Sequence, residues 1–270
     1  MTAGALRLMA VLAHPDDESL GMGGVLARYA QEGIDTFVLT ATRGQRGRFF
    51  DNSNRPDDDA VGSAREGELR NAARELGVRE VTLLDYRDGD LDRADPREAA
   101  AQIAVHLRRV RPHVVLTFDP FGAYGHPDHI AICQFTTAAL VLAADAAFTA
   151  GGPPHRVAKL YYMVNDEAKW EAYQAAFKRL VSRVDGVERA AIPWPDWSIT
   201  TRIDTRAQWP IVWRAVQCHR TQNAIYARLD SLTEADHHAL WGSQAYYRVF
   251  STVNGGRQQE TDLFAGLRSS

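Results

Sequence analysis

An apolar run from Leu6 to Leu12 ends in Ala13-His14-Pro15-Asp16-Asp17-Glu18, and this junction constrains the fold more than any other stretch. The run is brief and contains no Gly or Pro, which predicts a short buried strand. The polar cluster therefore begins where the strand ends, at the mouth of a sheet. Of the five residues from His14 to Glu18 four are ionisable and three are acids, a crowding that a cation would offset. A neutral imidazole and a carboxylate both ligate divalent metals. A second cluster, His126-Pro127-Asp128-His129, follows another apolar run, Val114 to Phe118.

Strand and helix signals alternate between and around these clusters. Ser19 to Glu32 carries Leu20, Val25, Leu26 and Tyr29 at helical spacing and is closed by Gly33. Thr36 to Thr42 is a β-branched run and predicts the second strand. Arg43 to Gly62 is long, polar and rich in Gly, Asn and Asp, a loop of the length that usually serves function. Ser63-Ala64-Arg65-Glu66 reads as a capping box that opens a helix to Leu76. Val81 to Leu84 predicts the third strand, Asp95-Pro96 starts a helix, and another runs from Asp128 to about Ala147. Beyond Gly151-Gly152-Pro153-Pro154 the order loosens. A strand near Leu160–Val164 and helices over Glu167–Leu180 and Ala207–His219 are expected there.

Such alternation predicts an α/β fold, Rossmann-like, with a mostly parallel sheet, helices on both faces and a less regular C-terminal part. The chain is expected to form a single domain, residues 1–150 being the motif-bearing core and 151–270 completing it. In a doubly wound sheet the first and fourth strands are commonly neighbours, and a ligand crevice opens at their carboxyl ends. That logic draws His14 and Asp17 towards His126 and His129. No G-x-G-x-x-G follows the first strand, which weakens a dinucleotide-binding reading.

A lone strand-end His or Asp is usually a cap or a solvated residue, and Asp16 or Asp17 could simply cap the next helix. Two His/Asp groups at adjacent strand ends instead match a catalytic zinc site of mixed N and O donors. Composition adds exclusions. A net charge of −3 gives no reason to expect nucleic acid or an anionic membrane as partner, and no apolar run is expected to span a bilayer. Cys133 and Cys218 suit reduced core thiols, and the default location is cytoplasmic.

Ala-His-Pro-Asp-Asp-Glu after the first strand, with Gly-His-Pro-Asp-His after the fourth, resembles the PIG-L (LmbE-like) de-N-acetylases. That family hydrolyses acetamides on N-acetylglucosamine-type conjugates with a divalent metal, commonly Zn2+, with Fe2+ as another candidate. The resemblance implies that His14, Asp17 and His129 are metal ligands and Asp16 the general base. It makes His126 the group that steadies the oxyanion or protonates the leaving amine, with Asp128 holding its ring. It also implies substrate contacts from Arg65, Asp88 and Tyr124. Gln45 stands where many members carry a glutamate, and His219, in Cys-His-Arg-Thr-Gln, resembles a recurring element of unassigned role.

The expectation is a hydrolase that deacetylates a small amino-sugar conjugate, the acetyl methyl facing a tight pocket beside the metal. Arg43, Arg46, Arg48 and Arg65 suit hydroxyl-rich or anionic ligands. Rival readings are an amidase that cleaves a larger amide, such as a thiol-sugar conjugate, and a non-catalytic sugar-binding module. Self-association stays open.

Overall fold

The computed structural model describes residues 5–177, 180–222, 230–256 and 258–268. β1 (Arg7–Leu12) leads through α1 (Asp17–Leu20) and α2 (Gly23–Gln31) to β2 (Asp35–Thr42). α3 (Asp58–Glu75), β3 (Glu80–Tyr86), α4 (Pro96–Val110) and β4 (Val114–Phe118) continue the alternation. Then follow α5 (Gly122–Gly125), α6 (Pro127–Ala144), β5 (Lys159–Val164), α7 (Glu167–Ala176) and a hairpin of β6 (Val181–Val184) and β7 (Val187–Ala190). β8 (Thr201–Asp204), α8 (Trp209–Cys218), α9 (Glu234–Trp241) and β9 (Ser243–Ser251) complete the described elements.

Seven strands form one sheet in the order β3-β2-β1-β4-β5-β9-β8. β1 to β5 run parallel, and β9 returns antiparallel to both β5 and β8. β1 is flanked on both sides, its Leu8 paired with both Thr36 and Val114. Right-handed crossovers put α2 and α3 on one face and α4 and α6 on the other. The helix contacts agree, since α2 and α3 meet α8 while α4 meets α6. The Rossmann-like fold expected from the alternation is therefore the one observed. The chain leaves β1 and β4 in opposite directions, so a crevice opens at their carboxyl ends.

Several local expectations are revised. The helix expected over Ser19–Glu32 is broken at Gly21-Met22. There Gln244 donates to the Gly21 carbonyl at 2.8 Å and accepts the Val25 N–H at 2.7 Å, so a side chain bridges the break. The capping box at Ser63 lies inside α3, whose N-cap is Asp57, accepting from Ala60 N at 2.8 Å. The helix begun at Glu167 ends at Ala176, and positions 178 and 179 of its expected last turn lie outside the described residues. β5, β8 and β9 give the segment beyond residue 150 more order than its sequence implies. Contrary to expectation, one helix, α6, is long and apolar enough to cross a membrane by length and composition. It nevertheless carries Asp128 and His129 and lies between α4 and strands β1 and β4, which accounts for apolar residues on opposite faces.

The far side of the sheet is tied by Glu260. Its carboxylate accepts from Lys159 Nζ at 2.8 Å, Tyr161 OH at 2.7 Å, Thr201 Oγ1 at 3.0 Å and Asn254 Nδ2 at 2.6 Å, and pairs with Arg248 at 3.0 Å. Burial alone would raise its pKa, but Lys159 and the hydrogen bonds hold it down at about 2. Burial lowers the Lys159 ammonium despite that pairing. The carboxylate, with five donors, decides the pair, and both groups stay charged.

Candidate metal centre and active site

His14, two residues past β1, and His129, in the first turn of α6, converge over the crevice with Asp17, the first residue of α1. His14 Nδ1 lies 3.2 Å from His129 Nε2 and 3.8 Å from Asp17 Oδ2, and His129 Nε2 lies 3.5 Å from Asp17 Oδ1. Bonds of about 2.0–2.2 Å at tetrahedral angles separate zinc ligands by about 3.3–3.6 Å, a range these spacings bracket, although each histidine faces a different Asp17 oxygen. All three are buried, with side-chain exposures of 10%, 9% and 3% for His14, Asp17 and His129. Burial would raise the Asp17 pKa, but the charge of His129 and the hydrogen bonds from His129 and the His14 backbone hold it down at about 2. His14–His126–His129 and His14–Asp88–Asp128 also gather donor atoms within 4.8 Å of one another. The second of these groups uses the other His14 nitrogen, which already faces two carboxylates.

That nitrogen, Nε2, lies 3.0 Å from Asp128 Oδ2 and 3.2 Å from Asp88 Oδ1. Burial would depress the His14 pKa, yet hydrogen bonds to Asp128 and Asp88 hold it well above its ordinary value. The arrangement fixes the ring and strengthens Nδ1 as a donor. It also corrects two expected contacts. The Asp128 carboxylate holds His14 rather than His126, and is itself anchored by the N–H groups of Gly89 at 2.7 Å and Leu91 at 3.2 Å. Asp88, expected as a sugar-hydroxyl acceptor, is engaged by His14 and by the Arg46 N–H at 3.1 Å.

Asp16 has φ 103° and ψ −26°, a left-handed backbone rarely adopted by residues other than Gly. Burial raises its carboxyl above the usual range, with Arg65 opposing. Arg65, expected to touch substrate, is instead 4% exposed and donates to Gly44 O at 2.9 Å, Pro15 O at 2.5 Å and Asp16 Oδ2 at 3.1 Å. A Cβ on Gly44 or Gly47 would overlap its guanidinium. The expected anion-binding arginines of the loop are likewise paired with protein carboxylates, Arg43 with Glu66 and Asp85, and Arg46 with Asp90.

The pair behind Asp16 is the feature not assigned from sequence. Glu18 and His219 are both fully buried and meet at 2.8 Å, Glu18 Oε1 also accepting from Ser19 Oγ at 2.5 Å. Burial would lower the His219 pKa, but the charge of Glu18 raises it. The clue lay in Cys-His-Arg-Thr-Gln, whose partner stands two hundred positions earlier and obeys no local spacing.

His126 is the N-cap of α6, and its Nδ1 accepts the Asp128 N–H at 3.2 Å. In a neutral ring the proton then sits on Nε2. Burial, with the neighbouring His129 and His14 rings, pushes its pKa down to about 3, so the imidazolium expected here is disfavoured. Tyr124 lies 5.5 Å from the His129 ring and 6.0 Å from that of His126, centroid to centroid. Its loop is set by Asp119, which accepts from Ala123 N at 2.8 Å and Trp194 Nε1 at 2.6 Å.

Beside the donors lies a cavity of about 280 Å³. Asp16, Asp17, Tyr124, His129, Asn165 and Gln222 line it together with apolar side chains that include Leu20, Met163, Trp170, Phe177 and Val181. This cavity is wider than the tight pocket expected around an acetyl methyl.

Residues 9–140 match the family model described as PIG-L, GlcNAc-PI de-N-acetylase. A 1D-myo-inositol 2-acetamido-2-deoxy-alpha-D-glucopyranoside deacetylase of Kineococcus radiotolerans is 37% identical over 98% of this chain and 84% of its own length. Its counterpart in Rhodococcus erythropolis is 38% identical, with both chains fully covered. Among solved structures, the N,N'-diacetylchitobiose deacetylase of Pyrococcus horikoshii superposes with a TM-score of 0.67 at 17% identity, covering 91% of this chain and 84% of that one, a likeness of fold. Full-length identity at this level, together with the family match across both His/Asp clusters, places the chain in the PIG-L de-N-acetylase family.

Proposed function

We propose that this chain is a metal-dependent hydrolase that removes the acetyl group from a small N-acetylglucosamine-type conjugate. In this reading His14, Asp17 and His129 hold Zn2+ or another divalent cation such as Fe2+. The observation that carries it is the convergence of His14 Nδ1 and His129 Nε2, 3.2 Å apart, on the Asp17 carboxylate, one oxygen 3.8 Å from the first and the other 3.5 Å from the second, with the half-buried Asp16 carboxylate beside them. The names of the relatives, deacetylases of a 2-acetamido sugar linked to inositol, support the substrate class. We place the enzyme in the cytoplasm as one domain, with no nucleic-acid or membrane partner.

A bound divalent cation supplies Lewis-acid polarisation of the carbonyl and lowers the pKa of water. Asp16, its carboxyl raised by burial, takes one proton from the attacking water as the oxygen bonds to the amide carbon. The His126 Nε2–H donates to the developing oxyanion. Asp16 then passes the proton to the amine nitrogen as the C–N bond breaks, releasing acetate and the free amino sugar. Arg65 orients Asp16, while Asp88 and Asp128 orient His14.

Acetate release from an N-acetylglucosaminyl-inositol, by protein loaded with a single equivalent of metal, tests the reading. Asp16→Asn is expected to retain the metal and lose roughly 10²–10⁴ in kcat. Full metal stoichiometry in both His14→Ala and His129→Ala would overturn the ligand set.

A further inference from the structure

The cavity beside the donors is larger and more apolar than an acetyl methyl requires. Its apolar wall comes mainly from Leu20 at the end of α1, Phe118 and Met163 at the ends of β4 and β5, and Trp170, Phe177 and Val181 around α7 and β6, with Asn165 and Gln222 as polar members. Its volume is about 280 Å³. The wall is built rather than incidental. The Tyr173 hydroxyl donates to the Leu20 carbonyl, joining α7 to α1, and Tyr173 stacks on Phe177 at 5.4 Å with planes 12° apart. At Gly21 a Cβ would meet Met163 Sδ at 2.7 Å, so glycine there admits the methionine to the wall.

The two sides of the donor set differ in chemistry. Behind His14 stand Asp88 and Asp128, and Arg65 and Arg46 belong to that polar side. None of these four lines the cavity, whereas Asp17, His129 and Asp16 border it. An amide attacked at the donors therefore has one substituent that can enter apolar space. Beyond Asp16, Asp17 and His129 the polar lining is Asn165, Gln222 and the Tyr124 and Tyr173 hydroxyls, so a hydroxyl-bearing amine side finds fewer partners there than an acyl chain finds apolar contacts.

We propose, on the basis of the deacetylase reading above, that this cavity is an acyl-binding subsite, and that the chain hydrolyses N-acyl amino sugars whose acyl group extends several carbons beyond acetyl. The step is the same hydrolysis: water adds to the amide carbon, the C–N bond breaks, and a carboxylate and a free amine result. Each methylene that is fully buried favours binding roughly fourfold. The cavity thus selects for chain length instead of against it. A Met163 side chain with three rotatable bonds lets the wall adapt to that length.

The test is a series of N-acetyl-, N-butyryl- and N-hexanoylglucosamine given to the metal-loaded protein. Hexanoyl turnover is expected at a kcat/KM within tenfold of acetyl or above it, and a value below one hundredth of acetyl overturns the inference. Val181→Trp and Leu180→Trp, both at partly exposed lining positions, narrow the cavity and are expected to lower the hexanoyl-to-acetyl ratio at least tenfold. An unchanged ratio in both folded variants places the chain elsewhere and overturns the subsite. Calorimetric binding to the Asp16→Asn protein is the readout independent of turnover. N-hexanoylglucosamine is expected to bind at least tenfold more tightly than N-acetylglucosamine, and equal or weaker binding overturns the inference. Absence of turnover of every member, acetyl included, would count against the deacetylase reading and leave the binding comparison to judge the subsite.

Discussion

The Glu18 carboxylate accepts the backbone N–H of Asp16 at 3.0 Å, and so one acid of the cluster fixes the backbone of another. Asp16 needs such a brace because its φ of 103° is unfavourable for a residue with a Cβ. Glu18 is in turn held by His219 at 2.8 Å, in a setting with no solvent exposure. Glu18→Ala is expected to lower kcat at least tenfold while bound metal and KM change little. Glu18→Gln, which keeps an acceptor for the Asp16 N–H, should recover part of the loss. Kinetics alongside metal content check this; native kcat in a folded Glu18→Ala protein would remove Glu18 from its role.

Arg65 separates a positioning role from a substrate contact. Its three hydrogen bonds all end on protein oxygens, those of Gly44, Pro15 and Asp16. Arg65→Lys cannot reproduce a planar fork, and the expected result is a fall in kcat of tenfold or more with KM within about threefold. Gly44→Ala should do the same, because φ at Gly44 is +65° and the added methyl would overlap the guanidinium. A rise in KM with unchanged kcat would return Arg65 to the substrate.

Glu260 sets an acid limit on stability. Its pKa is depressed to about 2 in the folded chain, against roughly 4.3 when unfolded. A depressed carboxylate stabilises fully above its unfolded pKa, and the contribution is lost as pH falls from there towards the folded value. The melting temperature should therefore drop between about pH 4.5 and 2, and less steeply in Glu260→Gln. At neutral pH that variant strands Lys159, which is 0% exposed, at an expected cost of about 3–5 kcal/mol. Thermal melts of both proteins from pH 2 to 7 measure it, and parallel curves would contradict the assignment.

The sheet and both donor clusters are legible because strand ends announce themselves locally: an apolar run stops and ionisable residues crowd the next turn. Parallel α/β topology then places β1 beside β4 with little freedom. The partner of each carboxylate is a different matter. Asp128 sits two residues from His126 yet reaches His14, because the first turn of α6 aims its side chain across the crevice towards β1. The break between α1 and α2 depends on Gln244, and the helix expected at Ser63 starts earlier because Asp57 caps it. Glu18 looks like one more acid of a solvated turn until His219 arrives from α8. Each of these depends on a tertiary contact, and periodicity carries no record of such contacts.

The left-handed backbone at Asp16 sets two selective demands against each other. Strain of this kind costs about 1–3 kcal/mol at a non-glycine residue, and glycine would relieve it. Glycine, however, supplies no carboxylate. Asp16→Gly is therefore expected to melt higher than the parent protein while losing the carboxylate that the proposed reaction needs. Position 16 thus sets fold stability against the proposed turnover, and one substitution separates the two.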